Sequence, residues 1–463
     1  MVVLEQRTAP ITESRASTLH ARTMEILDQR GLLGPLGIPA SETKGHFGGI
    51  PLDFGCLDSR YPGLWKVLQA RTEALLWRWA ADLGADLRRG YELSALTEHP
   101  GHVEVEVLGP DGSVSLRAPY IVGCDGEDST VGRLAGFDFP GADASRELLR
   151  ADVAGIDIPN RRFQRFAAGL AVAARRDDGV TRVMVHEFAG RPALRTGAPA
   201  FAEIAGAWAR VTGEDISVGT PLWSNAFGNT CRQADRYRGN RVLLAGDAAH
   251  RQMPVGGQAL NLGLQDAMNL GWKLAAHVSG RAPAELLDTY HHERHPVGAR
   301  TLANIAAQAA ILLGGPEVDA LRAVFEELIA VDEVAGHLTG MISGLDTHYS
   351  HGPGSDPLLG ARLPLYDLKT ERGLLNAAVP LRTGSGLLLH LTEGGPPEPW
   401  PSATAAPWAD RVRTVTAAPV PDGVLSGTES VLVRPDGHIA WAGGDADGLR
   451  AALGRWFGAP AGS

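Results

Sequence analysis

Apolar positions along the chain follow two different periods. Val103–Val107 reads V-E-V-E-V, and this strict alternation predicts a half-buried strand. Arg71–Leu83 and Leu262–His277 instead carry apolar residues at helical spacing, which predicts two amphipathic helices. Tyr120–Gly123 and Arg241–Ala245 are short apolar runs, as expected of strands that are buried in a parallel sheet. The order of these segments indicates a mixed α/β protein.

Three further stretches complete the predicted organisation. Residues 163–190 alternate apolar runs with turns and predict an antiparallel sheet, whereas residues 284–342 are mostly helical in pattern. His351–Ser355 reads H-G-P-G-S and predicts a linker. The last hundred residues favour a thioredoxin-like core, with strands at Leu387–Leu391, Val412–Thr416, Ser430–Val433 and Ile439–Ala442 and a closing helix at Asp447–Phe457. This part contains no cysteine, so it cannot perform dithiol exchange.

Composition narrows the class of protein. The chain has 463 residues, 44% hydrophobic and 21% charged, which suits a globular protein of two to four domains. Its net charge of −10 argues against a dedicated nucleic-acid binder. There is no apolar run of membrane-spanning length and no secretory signal pattern. The three cysteines, Cys56, Cys124 and Cys231, have no paired spacing, so we expect a cytoplasmic protein without a disulfide framework.

Two glycine-containing turns follow the two apolar runs. Gly123–Gly126 reads G-C-D-G, and Gly246 and Asp247 directly follow the second run. Downstream, Pro254–Gly257 reads P-V-G-G and opens a predicted helix. Glycines permit close backbone approach, and free N–H groups at a helix start bind anions or electron-rich oxygens. Asp247 is placed to accept hydrogen bonds from sugar-like hydroxyls. Each turn taken alone is more often an ordinary surface turn, and only their combination in this order is specific.

Glu5 ends the apolar run M-V-V-L-E. In dinucleotide-binding folds an acid at this place binds a ribose hydroxyl, and a glycine-rich turn lies about 20 residues upstream. No such G-x-G-x-x-G turn occurs in these 463 residues. Two interpretations therefore stay open for Glu5, a ribose ligand of a domain without its first βα unit and a solvated acid at the end of a strand.

One histidine-rich segment looks like a metal site at first sight. His291–His295 reads H-H-E-R-H, which differs from the H-E-x-x-H zinc motif because only three positions separate His292 from His295. We interpret it as a solvated or capping helix end, and expect no metal. No G-x-S-x-G elbow is present, so hydrolase chemistry lacks support.

Taken together, these motifs resemble a known family. Residues 246–274, G-D-A-A-H-R-Q-M-P-V-G-G-Q-A-L-N-L-G-L-Q-D-A-M-N-L-G-W-K-L, are similar to the flavin-contacting signature of class A flavoprotein monooxygenases, and G-C-D-G-E-D-S-T-V resembles their D-G motif. The C-terminal part narrows the resemblance to the phenol hydroxylase branch, and within it to the polyketide hydroxylases that act on angucyclines and anthracyclines. The resemblance covers nearly the whole chain.

The resemblance implies a fold and domain boundaries. The fold class is α/β, with a Rossmann-like FAD-binding domain that lacks its first βα unit, an antiparallel-sheet substrate domain and a C-terminal thioredoxin-like domain. The FAD-binding domain would comprise residues 1–145 and 225–300, and the substrate sheet residues 146–224 together with about 45–65. A helical segment would follow at residues 301–350, and the thioredoxin-like domain at residues 352–463.

The resemblance also implies roles for single residues. Glu5 would bind the adenosine ribose, and Arg15 would contact the pyrophosphate side of FAD. Asp125 would help to hold the pyrophosphate and the pyridine-nucleotide side. Gln69 would contact the ribityl–flavin region, and Asp247 would bind the ribityl or pyrophosphate oxygens. The isoalloxazine ring would be lined by Pro254, Gly256 and Gly257, and its pyrimidine edge would face the backbones of Leu260 and Asn261. Candidates for substrate contact are Phe47, Trp223 and Phe227. No catalytic side chain is assigned, since the flavin performs the redox step.

The implied activity is FAD-dependent hydroxylation of an aromatic polyketide with NAD(P)H and dioxygen. Besides the missing glycine turn, two features depart from the family pattern. Ala259 stands where a glycine is usual, and Gly132 follows Val131 where the family has arginine. The alternatives are a flavin-free pseudo-hydroxylase that binds a polyketide or a partner protein, and a relative that performs epoxidation or Baeyer–Villiger insertion. The sequence leaves open the choice between NADH and NADPH, and whether the chain forms a homodimer.

Overall fold

The computed structural model describes most of the chain, namely residues 1–11, 16–193, 195, 197–349, 356–392, 399–420 and 423–461. Arg15, which the resemblance places at the pyrophosphate, lies outside the described residues. The predicted linker at His351–Ser355 also lies outside them.

Residues 1–134 combine parallel and antiparallel strands with four helices. Strand β1 pairs in parallel with β7, and β8, β9 and β10 form an antiparallel meander. Val103, Val105 and Val107 of β9 are buried whereas Glu104 and Glu106 are not, which confirms the predicted half-buried strand. The elements are β1 (Val2–Glu5), β2 (Thr18–His20), α1 (Ala21–Asp28), α2 (Leu33–Leu36), β3 (Ser41–Glu42), β4 (Lys44–Phe47), β5 (Ile50–Asp53), β6 (Leu64–Lys66), α3 (Gln69–Asp82), β7 (Asp86–Arg89), β8 (Glu92–Glu98), β9 (Val103–Gly109), β10 (Gly112–Ala118), β11 (Ile121–Gly123) and α4 (Thr130–Leu134).

A five-stranded antiparallel sheet of order β14-β15-β16-β13-β17 follows. One face is covered by α5, whose Trp208 is fully buried against the sheet. The sheet confirms the antiparallel prediction, but β17 runs through the predicted domain boundary at residue 224 and ends at Gly228. The elements are β12 (Gly141–Ala142), β13 (Glu147–Ala154), β14 (Arg161–Arg165), β15 (Gly169–Arg175), β16 (Thr181–Glu187), α5 (Phe201–Thr212), β17 (Thr220–Gly228) and β18 (Cys231–Gln233).

The chain then returns to the first region. Strand β19 is fully buried, as predicted. It pairs in parallel with β11, in which Ile121 and Val122 are half-buried rather than buried as predicted. The long helix α6 begins four residues before the predicted start at Leu262, directly after Gly257. A helical segment follows, as predicted. The elements are β19 (Val242–Leu244), β20 (His250–Gln252), α6 (Gln258–Val278), α7 (Asp288–Leu313), α8 (Asp319–Ile329) and α9 (Asp332–Ser343).

The C-terminal part has a four-stranded sheet of order β24-β23-β25-β26. Strands β23 and β24 are parallel, and the other two pairings are antiparallel. The four predicted strands and the closing helix are confirmed to within one residue at each end. The elements are β21 (Asp367–Thr370), β22 (Gly373–Asn376), β23 (Gly386–Leu391), α10 (Pro399–Ala405), β24 (Val412–Ala417), β25 (Ser430–Val433), β26 (Ile439–Gly443) and α11 (Ala446–Phe457).

A buried ion network joins this C-terminal part to α6 and α7. Glu293 of α7 accepts hydrogen bonds from Lys273 of α6 at 2.7 Å and from both terminal nitrogens of Arg434 at 2.6 and 2.9 Å. Arg434 also pairs with Asp436. Burial alone would raise the pKa of Glu293, but Arg434 and Lys273 hold it at about 2. The interpretation of His291–His295 as a solvated or capping helix end is therefore wrong for Glu293, since a partner 141 residues away buries it.

Among the described residues, no single helix combines the length and the hydropathy of a membrane span. The pair Asp288–Leu313 and Pro316–Ile329 reaches these values only when both helices are taken together, and it is bent by 117°.

Candidate functional site

A cavity of about 690 Å³ lies where α6 begins. The turn before α6 forms one wall, and the face of the five-stranded sheet that is turned away from α5 forms the opposite wall. Strand β4 closes a third side through Gly45 and His46. Among the lining residues are Gly45, His46, Leu148, Arg150, Phe163, Met184, Phe227, Pro254, Gly256, Gly257, Ala259 and Leu260.

The turn before α6 depends on two glycines. Gly256 and Gly257 both have φ of +68°, a left-handed conformation in which a side chain is strained. No side chain of the described residues caps the start of α6. The first N–H groups of this 21-residue helix therefore lack side-chain acceptors, and they lie beside the cavity at Ala259 and Leu260. This is the environment that an electron-rich ring edge requires.

Asn261 fixes the position of this helix start. Its Oδ1 accepts from the backbone N–H of His20 at 2.9 Å and from the Thr23 hydroxyl at 2.7 Å. Its Nδ2 donates to the carbonyl oxygens of Thr18 at 3.1 Å and Gly257 at 2.7 Å. The amide therefore holds β2, α1 and the glycine turn in one arrangement, while the helix backbone stays directed at the cavity.

Asp266 of α6 fixes the Gly246–Asp247 turn through a hydrogen bond to its backbone. Oδ2 of this fully buried carboxylate accepts from the Gly246 N–H at 3.1 Å and contacts the ring of His250 at 3.0 Å, and Oδ1 accepts from Arg294 at 2.7 Å. Within the described chain, the Asp247 carboxylate accepts no hydrogen bond. Partial desolvation, together with the charge of Asp266, raises the pKa of Asp247. An open acceptor at the end of β19 is what the predicted role at the ribityl hydroxyls requires.

The Asp125 carboxylate accepts its hydrogen bonds from the start of α4, the helix that follows it. It accepts from the Ser129 hydroxyl and, at 3.0 Å, from the Val131 N–H, and Ser129 caps α4 by accepting from Gly132 at 2.9 Å. Gly132, a departure from the family pattern, is thus part of the capped first turn. The predicted contact of Asp125 with the pyrophosphate stays a prediction.

Glu5 lies at the end of its strand, as expected, whereas Gln69 begins a helix that was predicted to start two residues later, at Arg71. Glu5 is the last residue of β1, and its carboxylate accepts from the N–H of Arg7 at 2.8 Å. Gln69 begins α3, and its Oε1 accepts from the N–H of Ala16 at 3.1 Å. Ala16 lines the cavity, so Gln69 positions a cavity wall. Direct contacts of these two side chains with a cofactor stay predictions.

The three substrate candidates have different positions. Phe227 lines the cavity. Phe47 does not, because it is buried in an apolar cluster and its ring stacks on Phe325 with centroids 5.7 Å apart. Trp223 is covered by two guanidinium groups, those of Arg150 at 4.7 Å and Arg182 at 5.9 Å from the ring centre, and it is these arginines that line the cavity. Phe47 and Trp223 therefore do not line this cavity, and their roles as substrate contacts stay predictions.

Two cavity residues were missed by the sequence analysis. His46, the neighbour of Phe47, lines the cavity and packs against Phe163 with ring centroids 4.3 Å apart. Phe163 has φ of +49° and is the only non-glycine residue in the described part of the chain with positive φ. Strained backbone of this kind concentrates at binding sites. No local signal in the sequence reveals either feature.

The protonation state of His46 follows from its contacts. The Gly49 N–H donates to His46 Nδ1 at 3.2 Å, so the ring proton of the neutral imidazole lies on Nε2. Burial, together with the charge of Arg162, lowers the pKa of His46 to about 4. His46 is therefore neutral near pH 7 and acts as a hydrogen-bond donor through Nε2.

His291 and His295, from the histidine-rich segment of α7, contact backbone atoms through their rings. His291 Nδ1 accepts from the Tyr237 N–H at 3.2 Å, and His295 Nε2 lies 3.1 Å from the Ala234 carbonyl oxygen. These contacts tie α7 to the segment that precedes β19.

Comparison with known proteins agrees with this geometry. Residues 1–305 match the model of the FAD-binding domain family, and residues 356–460 match that of the aromatic-ring hydroxylase C-terminal family. CabE, described as an aromatic hydroxylase from angucycline biosynthesis, has a similar structure with a TM-score of 0.94 at 48% identity, covering 99% of this chain and 94% of that one.

Characterised relatives have the same coverage. A 12-dehydrotetracycline 5-monooxygenase/anhydrotetracycline 6-monooxygenase of Streptomyces rimosus is 40% identical over 99% of this chain and 94% of its own length. A rifampicin monooxygenase of Streptomyces venezuelae is 39% identical with the same two coverages. The chain thus belongs to the FAD-dependent aromatic-ring monooxygenases.

Proposed function

We propose that this protein hydroxylates an aromatic polyketide, using FAD as cofactor and NAD(P)H and dioxygen as co-substrates. The observation that carries the proposal is the shape of the cavity. An uncapped helix start with two left-handed glycines forms one wall, and a sheet face bearing Phe227 forms the other. Such a space suits a planar redox ring on the first wall and a planar aromatic substrate against the second. The relatives named for tetracycline and rifampicin monooxygenation support the same substrate class.

We further infer that the N-terminal half is Rossmann-like and the C-terminal part thioredoxin-like. The parallel pairs β1–β7 and β11–β19 support the first inference. The strand order β24-β23-β25-β26 supports the second inference, because β25 is antiparallel to both of its neighbours while the other three strands run in the same direction. No cysteine lies in this sheet or its helices, so a structural role is proposed for it. The three cysteines are free, in keeping with a cytoplasmic location.

On the cofactor side, the chain would bind through its backbone. N–H groups at Ala259 and Leu260 would hold the pyrimidine edge of the flavin, and their dipoles favour negative charge there. Asp247, without a protein partner in the described chain, would accept from the ribityl hydroxyls. When bound, FAD would supply the redox chemistry by which one oxygen atom of dioxygen enters the substrate.

On the substrate side, His46 and Arg150 provide polar contacts in an apolar setting. His46 Nε2–H would donate to a keto or phenolic oxygen. Arg150 is 8% exposed, bonds Asn225 at 3.2 Å and lies over Phe227, so its position is fixed before a substrate arrives. Leu148 and Met184 exclude water around these groups.

The test combines binding with product analysis. Purified protein is titrated with FAD, and then assayed for NAD(P)H oxidation in the presence of tri- and tetracyclic polyphenols. The proposal expects flavin binding, oxidation that depends on the polyphenol, and a hydroxylated product with one additional oxygen. An NMR structure of the product in which oxygen has entered a ring C–C bond would instead indicate Baeyer–Villiger insertion. Protein that binds the polyphenol but never FAD would be a flavin-free relative, and the proposal would be wrong.

A further inference from the structure

The hairpin turn between β8 and β9 brings together three side chains that can bind a metal. The turn reads His99-Pro100-Gly101-His102, and the His99 N–H donates to the His102 carbonyl oxygen at 2.8 Å. Beyond the turn, His102 and Glu104 lie on the same face because side chains alternate along a strand. One ligand atom from each of His99, His102 and Glu104 lies within 4.8 Å of the other two.

The two oxygens of Glu104 have different surroundings. Oε1 accepts from the Ser115 hydroxyl at 3.0 Å and from Arg117 at 3.2 Å, both on β10. Oε2 faces His99 Nε2 at 3.5 Å. One oxygen therefore orients the group, and the other is available, which is the usual arrangement around a metal-binding carboxylate.

His102 supplies an observation that is independent of the acid. Its Nε2 is buried and has no hydrogen-bond partner among the described residues, although a buried polar atom without a partner is costly. Its ring stacks on that of His99, with centroids 4.6 Å apart and planes 19° apart. A metal ion bound in the ring plane through His102 Nε2 would give this buried nitrogen a partner.

We propose that His99, His102 and Glu104 form a binding site for one Zn²⁺ ion, with water as the fourth ligand. Bonds of 2.0–2.1 Å in a tetrahedral site place ligand atoms about 3.3 Å apart. The separation of 3.5 Å between His99 and Glu104 already matches this value. The other separations are at most 4.8 Å, and rotation of an imidazole would have to bring them to this value on binding.

The position of the site indicates its effect on the molecule. Arg241 precedes β19, donates to the Pro100 carbonyl oxygen, and through its backbone N–H donates to Glu98 at 3.1 Å. The turn is thus attached to the strand that leads to Gly246 and Asp247. A bound ion would fix the turn in this position and stabilise the meander, at a distance from the cavity that holds the redox chemistry.

The experiment measures zinc binding by the purified, tag-free chain, using isothermal titration with Zn²⁺ and the visible absorption of Co²⁺ as a probe of tetrahedral N/O ligation. We expect one ion per chain and a rise in the thermal unfolding midpoint with Zn²⁺ that Mg²⁺ does not produce. His99→Ala and His102→Ala should abolish both effects. Arg117→Met, which removes a hydrogen bond to the ligand, should weaken binding by roughly 10-fold.

His292→Ala is the matched control, because His292 belongs to another histidine cluster and is exposed. It should bind Zn²⁺ like the unchanged chain. All variants are compared by circular dichroism, so that a loss of fold is recognised. The proposal is overturned if the unchanged chain binds no Zn²⁺, if folded His102→Ala binds it equally well, or if His292→Ala is the variant that loses it.

Discussion

The start and the middle of α6 use polar groups in opposite ways. At the start, the first N–H groups have no side-chain cap in the described chain, and the glycine turn leaves space beside them. In the middle, Lys273 donates to Asn269 at 2.8 Å and to Glu293 at 2.7 Å, and the surrounding charges are paired. Unpaired polar groups are costly unless a ligand satisfies them, whereas paired ones fix a domain junction. One helix thus provides both a binding edge and a structural joint.

The largest loss of stability should come from breaking the buried ion network around Glu293. Glu293→Gln leaves Lys273 and Arg434 without their shared carboxylate, and breaking a buried pair costs about 3–5 kcal/mol. We expect a much lower urea midpoint, measured by circular dichroism. Glu327→Gln makes the same chemical change at an exposed position on α8, where the side chain has no hydrogen bond in the described chain; it serves as control and should unfold near the unchanged protein. An unchanged midpoint for Glu293→Gln would show that the junction is held by apolar packing alone.

The same carboxylate predicts how stability depends on pH. Its pKa is about 2 when folded and 4.5 when unfolded, so its contribution is fully present above pH 4.5 and is lost as pH falls toward 2. A difference of this size corresponds to about 3 kcal/mol. Unfolding free energies measured between pH 6 and 3 should fall less steeply for Glu293→Gln than for the unchanged protein, and parallel curves would contradict the assignment.

A smaller effect is expected at the open start of α6. Gly257→Ala places a methyl group on a residue with φ of +68°, which costs about 1–2 kcal/mol. The displaced turn should also weaken FAD binding by roughly 10-fold, since 1.4 kcal/mol corresponds to that factor. Flavin fluorescence titration measures this. Gly271→Ala is the control, because a Cβ there meets nothing within 4 Å, and a helical Gly→Ala change should preserve or raise stability.

A substitution at His46, which lines the cavity beside the sheet, should have a smaller effect on activity. His46→Phe retains an aromatic ring but removes the Nε2–H donor, and the loss of one hydrogen bond of about 1 kcal/mol should lower kcat/KM about 5-fold. Unproductive NAD(P)H oxidation should rise, which is measured as the ratio of hydroxylated product to NAD(P)H consumed. His337→Phe, at an exposed position on α9, should change neither quantity. Equal coupling in both variants would remove His46 from the proposed substrate contacts.

The smallest expected difference is one of stability between two variants of Phe163, whose backbone has positive φ. Phe163→Gly and Phe163→Ala both remove the ring from the cavity, but only glycine adopts φ of +49° without strain. We expect the glycine variant to be the more stable of the two by about 1 kcal/mol, measured by urea unfolding. The reverse order would show that this backbone conformation is not strained.

The sequence predicted those features that depend on local pattern. The V-E-V-E-V strand, the buried runs and the glycine turns at 254–257 are all encoded within a few residues, and the structure has them at these positions. In β4, however, neighbouring side chains point to opposite sides, and a short polar segment does not reveal which side meets a cavity. The sequence analysis therefore chose Phe47 where His46 lines the cavity.

Contacts between residues far apart in the chain could not be predicted from the sequence, for a different reason. Glu293 lies in a polar helix segment, and only its partner Arg434, 141 residues later, explains why it is buried. Trp223 was chosen for its large apolar side chain, but Arg150 from the neighbouring strand lies over it. In both cases the contact depends on tertiary structure, and no local periodicity reports it.

The Asn261 amide has a consequence for natural and laboratory variation. Its oxygen receives two hydrogen bonds, from His20 and Thr23, and its nitrogen gives two, to Thr18 and Gly257, so its bonding capacity is saturated. Aspartate would lack the donors, leucine would lack both functions, and glutamine would be one carbon too long. Libraries that diversify this enzyme for new substrates should therefore leave position 261 untouched and vary the opposite wall of the cavity.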